Sequence, residues 1–476
     1  MKIENIKIPD LIEKTNNELK SAQNIPLSLR VLMRTVLKLL KVLCNRLSLN
    51  SGNSSIPPSR DLNRKKRKDK GLKKNKRNQG GQKGHEGKTL LKVDNPNEVE
   101  DIFIDRRTIP PGTYKQAGFE TRQVFDINLS VHIKEYRAEI LVDKNGHQYV
   151  ASFPEKVKKA TQYGDEVKSE SVYMSMFQLI PLARVENYFN DQVGLPISKG
   201  SISNFNKEAY NKLIEIGFDE WLKFQLLGSI LINADETGIN IGGNKFWLHN
   251  LSNDKLTYYY PDFKRGQEAM NRMEVLPVYK GILCHDHWKP YFAYKGCLHA
   301  LCNAHHLREL KRAFEQDGQK WAKSMQKLLL EIKDLTDSHG GLLSIKEIEK
   351  FEKKYRSIIS EGNKECPLAV KEDDQKGRVK QSKARNLLDR LSDFEKETLL
   401  FMKNINVPFT NNQGENDLRM TKVQQKISGC FRNMDGARNF CLVRSYLVTA
   451  QKNELSPTNA LRILFSNEIP DFMKKK

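Results

Sequence analysis

The sequence predicts an α/β protein, and two apolar runs with the segments between them carry that prediction. Residues 228–238 (GSILINADETG) and 281–288 (GILCHDHW) each form a short, nearly continuous apolar run that leads to an acidic residue. Such runs are expected of central strands buried on both faces of a sheet. Two further strand-like segments, residues 244–252 and 255–263, lie between them, and a helical stretch follows at 266–279.

The order of these segments is a strand with Asp235, two strands, a helix, a strand with Asp286, and another helix. This is the order of a ribonuclease-H-like fold, in which the first and fourth strands lie side by side. We therefore expect Asp235 and Asp286 to meet at one end of the sheet. The alternative is that Asp235 caps a turn before Gly238 and Asp286 begins a loop. Two acids that each end a buried strand in this order favour a shared site.

Two carboxylates held together in a half-buried site need a cation, because like charges there cannot otherwise both stay ionised. Oxygen ligands with room for waters and phosphate oxygens suit Mg²⁺ or Mn²⁺. Two such ions, roughly 3.5–4 Å apart, stabilise the attacking and leaving oxygens of an in-line phosphoryl displacement. The expected cofactor is therefore a pair of Mg²⁺ or Mn²⁺ ions.

A third metal ligand is expected from a later helix, and Glu415 is the candidate. Two structural explanations compete with that role. Asn412 and Glu415 have the spacing of a capping box, with Asn in place of the usual Ser or Thr. Glu415 and Arg419 also form a favourable pair four residues apart on a helix. All of these interpretations put Glu415 on the first turn of a helix, so the residues alone leave its role open.

Charge and cysteine content limit the class of partner and the compartment. The 476-residue chain has a formal net charge of +22, which favours a polyanionic partner, with nucleic acid ahead of an anionic membrane surface. Its length allows roughly two to four domains. Seven cysteines without paired spacing argue against a disulfide framework and favour a reducing cytoplasm. No window is apolar enough to predict a membrane span.

The first 91 residues predict a helical segment and a basic arm. Residues 1–50 contain an apolar helical stripe between Leu27 and Leu43, which would pair with another chain or pack within its own subunit. Residues 51–91 form a linker with ten basic residues between Arg64 and Arg77. Such a block is a solvated tail or an arm that grips phosphates without reading sequence. The candidate contacts are Arg64, Lys65, Lys66, Arg67, Lys68, Lys73, Lys74, Lys76 and Arg77.

The rest of the chain divides into five predicted parts. Strand-like alternation predicts a small β module, and the helical segment after it reads as a helix, a Gly-Leu-Pro turn and a second helix opened by Ser198, which is similar to a helix-turn-helix. Many helical pairs that do not bind DNA share that form. The predicted parts are the β module at 92–160, the helix-turn-helix-like segment at 161–225, the first part of the catalytic core at 226–313, a helical insertion at 314–400, and the second part of the core with the C-terminal tail at 401–476.

Several ordered motifs extend over nearly the whole chain: NSSIPPSRD followed by GGQKGH, ADETG, CHDHWKPYF, CNAHHLREL, NNQGENDLRMTKVQQKISGCFRN and SYLVTAQKNELSPTNALRILF. Together they resemble the insertion sequence 66 family of transposases. The resemblance implies a DDE transposase with a ribonuclease-H-like catalytic domain interrupted by a helical insertion, and Asp235, Asp286 and Glu415 match the family triad. It also implies small accessory proteins encoded by the same element.

Cys302 and His305 resemble a Cys-x-x-His element that follows the second acid in this family. We expect them to support the active site from the helix after Asp286, with His305 contacting the scissile phosphate or serving as a structural histidine. Cys284, His287, Cys302 and His305 also resemble a zinc pattern. Residues 284 and 287 lie an odd number apart on a strand and point to opposite faces, so zinc is not expected there.

One departure from the family concerns its N-terminal half. Family members commonly carry a cysteine-based zinc module after the basic arm, but residues 91–160 contain no cysteine. His132 and His147 alone cannot complete a tetrahedral site, so we expect this module to be metal-free.

The leading hypothesis is an enzyme that cuts and joins DNA. Water first frees a 3′-hydroxyl at the transposon end, and that hydroxyl then attacks target DNA. Arg419, Lys422 and Lys426 line the DNA-facing side of the Glu415 helix or form a solvated helix face. Two active sites acting on two ends favour a homodimer or larger assembly. The alternatives are a catalytically silent DNA-binding regulator and a nuclease on the same fold.

Overall fold

A computed structural model describes residues 2–3, 6–21, 25–54, 56, 61–63, 90–369 and 379–474. The protein is a mixed α/β molecule whose centre is one five-stranded sheet with the strand order β7-β6-β5-β8-β9. Strand β6 is antiparallel to both β5 and β7, whereas β8 is parallel to β5 and β9 is parallel to β8. The strands are β5 (Leu231–Ile241), β6 (Asn244–Ser252), β7 (Thr257–Asp262), β8 (Ile282–His285) and β9 (Leu298–Leu301).

The expected pairing of the two acid-bearing strands is confirmed. Strands β5 and β8 lie side by side, with Asn233 opposite Cys284. Asp235 and Asp286 each lie two residues beyond that pair. Because side chains two residues apart share a face of a strand, both acids lie at the same end of the sheet and on the same face.

Strand β5 is longer than the sequence predicts. We expected it to end at Asp235, but it continues to Ile241 and pairs with β6 along its length. Gly242 and Gly243 form the two-residue turn between these strands, with φ of 57° and 84°. Positive φ at both positions is what a tight hairpin turn requires, and glycine allows it without strain. Asp235 therefore lies inside a long strand instead of at its end.

The segments around β8 also differ from the prediction. The helix expected at 266–279 is shorter, since α7 covers only Gln267–Arg272. Strand β9 was not predicted, because a helix was expected directly after Asp286. Its four residues, LHAL, are too short to show a clear alternation. This strand adds a parallel neighbour to β8 and leads directly into the helix that begins with Asn303.

Helices cover both faces of the sheet, as the continuous apolar runs predict. Leu283 belongs to a core cluster that also contains Leu222 and Tyr446. Its neighbours in β8, Ile282 and Cys284, belong to a second cluster built from the insertion helices. Complete burial of a Leu or Ile side chain contributes roughly 1.5–3 kcal/mol, so the sheet holds the two clusters together.

The predicted insertion at 314–400 is helical in its described residues. Its longest helix, Ile345–Glu365, begins with a capping box in which Ser344 and Glu347 bond reciprocally. This region contains the end of α8 (Asn303–Asp317), α9 (Lys320–Ser338), α10 (Ile345–Glu365), α11 (Lys383–Asp393) and α12 (Glu395–Thr398).

The structure contains the predicted helix, turn and second helix before the sheet. The turn contains Gly194 at φ 70°, and the second helix begins after Ser198, whose hydroxyl accepts a hydrogen bond from the Ser201 N–H at 3.1 Å. Contact of this segment with DNA stays a prediction. The helices before the sheet are α3 (Asp165–Val172), α4 (Leu182–Tyr188), α5 (Lys199–Glu215) and α6 (Phe218–Leu227).

The C-terminal helices return to the sheet. Helix α14 lies along β7, and the Ser445 hydroxyl accepts a hydrogen bond from the Tyr259 N–H at 2.9 Å. After α13, Phe431 bonds to the end of β5 through Asn240 and Gly242. The helices of this part are α13 (Asn412–Ser428), α14 (Met434–Lys452), α15 (Pro457–Phe465) and α16 (Asp471–Lys474).

The N-terminal region has two short strands, β1 (Lys2–Ile3) and β2 (Ile6–Lys7), followed by α1 (Ile8–Ser21) and α2 (Leu27–Leu47). Helix α2 confirms the expected helix, and its apolar stripe is exposed in the single chain. The end of α2 touches the insertion, because the Gln316 amide donates to the Asn45 carbonyl at 3.1 Å. No helix in the described part of the chain is long and apolar enough to cross a membrane.

Residues 92–160 contain less strand than their alternation predicts. The strands described there form one hairpin, β3 (Ile140–Val142) with β4 (Gln148–Val150), and all six residues are exposed. The rest of the alternating segment, residues 124–139, forms no strand. Alternation marks two faces, but a strand forms only where a partner strand or a covering surface is available.

Candidate active site

Asp235 lies at the centre of a group of acidic side chains. Its pKa is raised to about 8, first by burial and then by repulsion from Glu236, Asp286 and Glu415. A hydrogen bond from the Glu236 N–H to Oδ1 at 2.9 Å opposes this rise. The backbone placement agrees with this grouping, because Asn233 lies opposite Cys284 two residues before the aspartates, and Asn411 bonds the start of the Glu415 helix to Ala234.

Asp286 reaches the group from the end of β8. It is half-buried, and its Oδ1 accepts a hydrogen bond from the Trp288 N–H at 2.9 Å. This bond fixes the turn after the strand, so the alternative role of Asp286 at the start of a loop is also present. The structural role and the proximity to Asp235 are compatible, because one carboxylate oxygen is used in the turn.

Glu415 reaches the group from the first turn of α13. The residue before this helix is Asn411, and no side chain caps the helix, so the predicted capping box between Asn412 and Glu415 is wrong. The Asn411 side chain instead donates to the Ala234 carbonyl at 2.9 Å, next to Asp235. The Asn411 N–H donates to the sulfur of Cys302 at 3.1 Å. These two bonds hold the start of α13 against β5 and against the start of α8.

The Glu415 carboxylate lacks a close partner. Its Oε1 lies 3.8 Å from Nδ1 of His305 and 3.9 Å from Nη2 of Arg308, and these distances are beyond hydrogen bonds. Both Glu415 Oε1 and His305 Nδ1 are buried atoms without a hydrogen-bond partner. A buried acceptor without a partner is costly, so a cation between these groups would satisfy them.

Cys302 and His305 lie beside Glu415, and their support of the acidic site stays a prediction. Cys302 immediately precedes α8 and His305 is on its first turn. One ligand atom from each of Cys302, His305 and Glu415 lies within 4.8 Å of the others. Within residues 90–369 and 379–474, this is the one group of three or more such ligands that converges.

The four-residue zinc pattern of the sequence does not form one site. Cys284 is buried near Cys302, but the ring of His287 packs edge-on against the ring of Phe394, with centroids 4.5 Å apart. The expectation that residues 284 and 287 point away from each other agrees with this arrangement.

Sequence reasoning missed a second anion next to the first. The side chain of Glu236 is 2% exposed, and its Oε1 accepts hydrogen bonds from Arg265 at 2.9 and 2.6 Å. Its Oε2 accepts a hydrogen bond from the Tyr291 hydroxyl at 2.6 Å. The guanidinium of Arg265 stacks between Trp247 and Trp288, at 4.8 and 4.3 Å from the ring centroids. The only signal in the sequence was the adjacent pair of acids in ADETG.

Burial is the main cause that raises the pKa of Glu236, while Tyr291 and Arg265 lower it. Both carboxylate oxygens of Glu236 accept hydrogen bonds, whereas Glu415 Oε1 has no hydrogen-bond partner among the described residues. Glu236 is therefore held in a fixed position beside Asp235.

The predicted basic residues of α13 lie on its exposed surface. Arg419, Lys422 and Lys426 are exposed, and the Lys422 ammonium donates to the Gly238 carbonyl at 2.8 Å. Lys422 also lines a cleft with Lys245 and Trp247. The basic block from Arg64 to Arg77 lies outside the described residues, so its contacts stay a prediction.

Comparison with known families identifies the class of protein. The family model described as "Transposase IS66 family" matches residues 160–439, which is more than half of the chain and includes the three acids. The protein is thus a transposase by family, with a role in transposition and in processing DNA. The chain belongs to the IS66 family of transposases. Residues 6–90 match a family of unknown function (DUF6444). No curated protein matches the chain.

Proposed function

We propose that the protein is a DDE transposase that cleaves DNA at the ends of an insertion sequence and joins the freed 3′-hydroxyl to target DNA. Asp235, Asp286 and Glu415 are the proposed metal ligands. The observation that carries the proposal is the placement of the three acids. Asp235 and Asp286 each lie two residues beyond the paired Asn233 and Cys284, and Asn411 bonds the start of the Glu415 helix to Ala234, next to Asp235. Acids that repel each other in a half-buried site are stable together when a cation lies between them.

The donor set fits Mg²⁺ or Mn²⁺. All three ligands are carboxylates, and hard divalent cations prefer oxygen donors with open positions for water and phosphate oxygens. The buried Oε1 of Glu415 without a hydrogen-bond partner is the free acceptor that such an ion would use. When bound, two such ions supply charge stabilisation at the attacking and leaving oxygens.

The sheet topology supports a ribonuclease-H-like catalytic domain. Three antiparallel strands are followed by β8, which pairs in parallel with the first of them, and by β9, which is parallel to β8. The helical insertion enters after α8 and ends before Glu415, so the fold is interrupted between the second and third acids. This arrangement agrees with the fold that the family resemblance implies.

The protein's own residues bind and orient the DNA in this proposal. Arg419, Lys422 and Lys426 lie on the exposed face of α13 and contact phosphates, while His305 faces Glu415 and contacts the scissile phosphate. The basic block from Arg64 to Arg77 adds contacts that do not depend on sequence. A homodimer brings two such sites to the two transposon ends, and small accessory proteins of the same element are further proposed partners.

The reaction uses water as the first nucleophile and the freed 3′-hydroxyl as the second. Glu236, held by Arg265 and Tyr291, keeps the β5 side of the site rigid and negative.

The seven cysteines are free thiols, which fits the proposed reducing cytoplasm.

A strand-transfer assay tests the proposal. The substrate is a labelled duplex that carries the inverted repeat flanking the gene, incubated with target plasmid and Mg²⁺. We expect cleavage and joined product from the wild type, and loss of both by at least roughly 100-fold in Asp235→Asn, Asp286→Asn and Glu415→Gln, because each removes a metal ligand. Glu268→Gln, at an exposed acid outside the cluster, is the control and should keep activity.

The same assay separates the alternatives. Binding of the repeat without cleavage in Mg²⁺ or Mn²⁺ would show a silent regulator, and cleavage without joining would show a nuclease. Gel-shift measurements on the three variants show whether DNA binding survives when cleavage is lost.

A further inference from the structure

We propose that Cys302, His305 and Glu415 form a second cation site, selective for a thiophilic divalent ion such as Zn²⁺, next to the acidic cluster. The site differs from the carboxylate cluster in its donors, since it offers one sulfur, one imidazole nitrogen and one carboxylate oxygen within 4.8 Å of one another. Thiolate and imidazole select Zn²⁺ over Mg²⁺, which prefers oxygen donors only.

The separation between His305 and Glu415 is close to that in a three-ligand zinc site, and the Cys302 sulfur lies within 4.8 Å of both ligand atoms. Metal–ligand distances of roughly 2.0–2.3 Å in a tetrahedron put an imidazole nitrogen and a carboxylate oxygen roughly 3.4 Å apart. Nδ1 of His305 and Oε1 of Glu415 are 3.8 Å apart, so small rotations of the two side chains bring them to that separation. Three protein ligands leave a fourth position for water, as in open zinc sites.

The hydrogen bonds around the three residues leave the ligand atoms available. Nδ1 of His305 and Oε1 of Glu415 are buried and have no hydrogen-bond partner. The sulfur of Cys302 accepts a hydrogen bond from the Asn411 N–H at 3.1 Å, which fixes the position of the sulfur. Two buried polar atoms on different helices, unpaired among the described residues and each within 4.8 Å of this sulfur, are the second observation that points to a cation.

Access to the site is from the side of His305 and Glu415. Cys302 is buried, but the His305 and Glu415 side chains are 28% and 30% exposed. The guanidinium of Arg308 lies 3.9 Å from Glu415 Oε1 and would move away when a cation binds. Its side chain is 31% exposed, so solvent is open to it.

Glu415 belongs both to this site and to the proposed catalytic site, so binding of a cation here would regulate strand transfer. This consequence rests on the proposed function. A cation held by Cys302 and His305 draws Glu415 away from Asp235 and Asp286, so Zn²⁺ inhibits strand transfer. The inhibition is competitive with Mg²⁺, because both ions need the same carboxylate.

Cadmium is the probe for the binding test, because a Cd²⁺–thiolate bond absorbs in the ultraviolet. The full-length chain carries Cys44→Ser and Cys430→Ser, which removes the half-buried and exposed thiols elsewhere. We expect one Cd²⁺ per chain with a charge-transfer band. Adding Cys302→Ser should abolish the band, and adding His305→Ala or Glu415→Gln should weaken Cd²⁺ affinity at least roughly 10-fold.

Matched controls keep the test decisive. His339 also lies 3.8 Å from a glutamate, Glu347, but it does not belong to the group of Cys302, His305 and Glu415. His339→Ala should therefore leave Cd²⁺ affinity unchanged. Thermal melts identify any variant that does not fold. His305→Ala and Glu415→Gln alter partly exposed side chains and carry the test if Cys302→Ser is unstable.

The outcomes are separable from those of the catalytic proposal. An unchanged band in Cys302→Ser, the absence of a stoichiometric band in the parent chain, or unchanged affinity in both folded variants would overturn the second site. Stoichiometric Cd²⁺ binding that depends on Cys302 and His305 supports it even if no strand transfer is detected. For regulation, the Zn²⁺ concentration that halves strand transfer should rise in proportion to Mg²⁺; independence from Mg²⁺ would contradict the shared glutamate.

Discussion

Two regions of this chain carry similar β-type sequence patterns and reach different structures. In β8 all four residues are buried, whereas in β3 and β4 all six are exposed. The difference is the covering surface. Helices from distant parts of the chain pack on both faces of β8, whereas no comparable layer of described residues covers 92–160. Apolar pattern thus indicates which residues prefer burial, while tertiary packing decides whether they are buried.

Hydrogen exchange should show the largest difference between these regions. Strand β5 pairs with β6 over residues 233–241 and with β8 over residues 231–233, whereas residues 124–133 have no strand pairing. Opening of core strands costs up to the global stability, so exchange in β5 should be at least roughly 1000-fold slower. Mass spectrometry of peptides from the full-length protein measures this. Equal protection in the two regions would show that residues 124–133 are paired in solution.

Two ion pairs of nearly the same length should differ strongly in their contribution to stability. Lys452 and Asp417 are 2.9 Å apart with side chains 14% and 9% exposed. Arg107 and Asp105 are 2.8 Å apart on the surface. Lys452→Met leaves the buried Asp417 carboxylate without its cation, with only the Gln413 side-chain amide donating to it among the described residues, and should cost about 3–5 kcal/mol of unfolding free energy. Arg107→Met should cost under about 1 kcal/mol.

Denaturant unfolding of the two methionine variants checks this prediction. The Lys452 ammonium also donates to the Asn253 carbonyl at 2.7 Å, so its loss removes more than one bond. Similar losses in both variants would mean that burial does not decide the contribution of these pairs.

A matched pair of isoleucines tests the packing difference directly. Ile232 in β5 is fully buried, and Ile133 is 86% exposed. Ile232→Ala should lower the free energy of unfolding by about 2–5 kcal/mol. Ile133→Ala should change it by no more than about 0.5 kcal/mol. A loss above about 2 kcal/mol at Ile133 would indicate that this face is covered in solution, for example by a second copy of the chain.

The basic arm should affect DNA binding and leave stability nearly unchanged. Replacing the ten basic residues between Arg64 and Arg77 with Gln removes phosphate contacts, so DNA affinity should fall and depend less on salt. Each lost contact reduces the slope of log affinity against log salt by about 0.9. Binding isotherms at several salt concentrations measure the slope, and an unchanged slope would exclude the arm from DNA contact.

The central part of the fold was predictable because its signals are local and redundant. The apolar runs around Asp235 and Asp286 identified two adjacent strands, and their register follows from the parallel pairing. Strand β9 was missed, since four residues carry too little pattern. The extension of β5 past Asp235 depends on pairing with β6, which a strand's own sequence does not reveal.

The sequence predicted the candidate site only through its acidic residues, which stand in recognisable motifs. The three acids stay a predicted site. The residue before α13 is Asn411, one position before the expected Asn412, and its side chain bonds to Ala234 instead of the helix. The Glu236, Arg265 and Tyr291 cluster joins three separate segments. Such contacts between distant segments follow from tertiary packing and produce no characteristic spacing in the sequence.

Diffraction from crystals of the protein soaked in Mn²⁺ is the sharpest test of whether the three acids bind a metal ion. Anomalous scattering locates the ion without any assumption about activity. We expect anomalous density at coordinating distance from Asp235, Asp286 and Glu415. This density should be lost in crystals of Asp235→Asn. A soaked crystal with Mn²⁺ bound elsewhere and none between these three carboxylates would contradict this expectation.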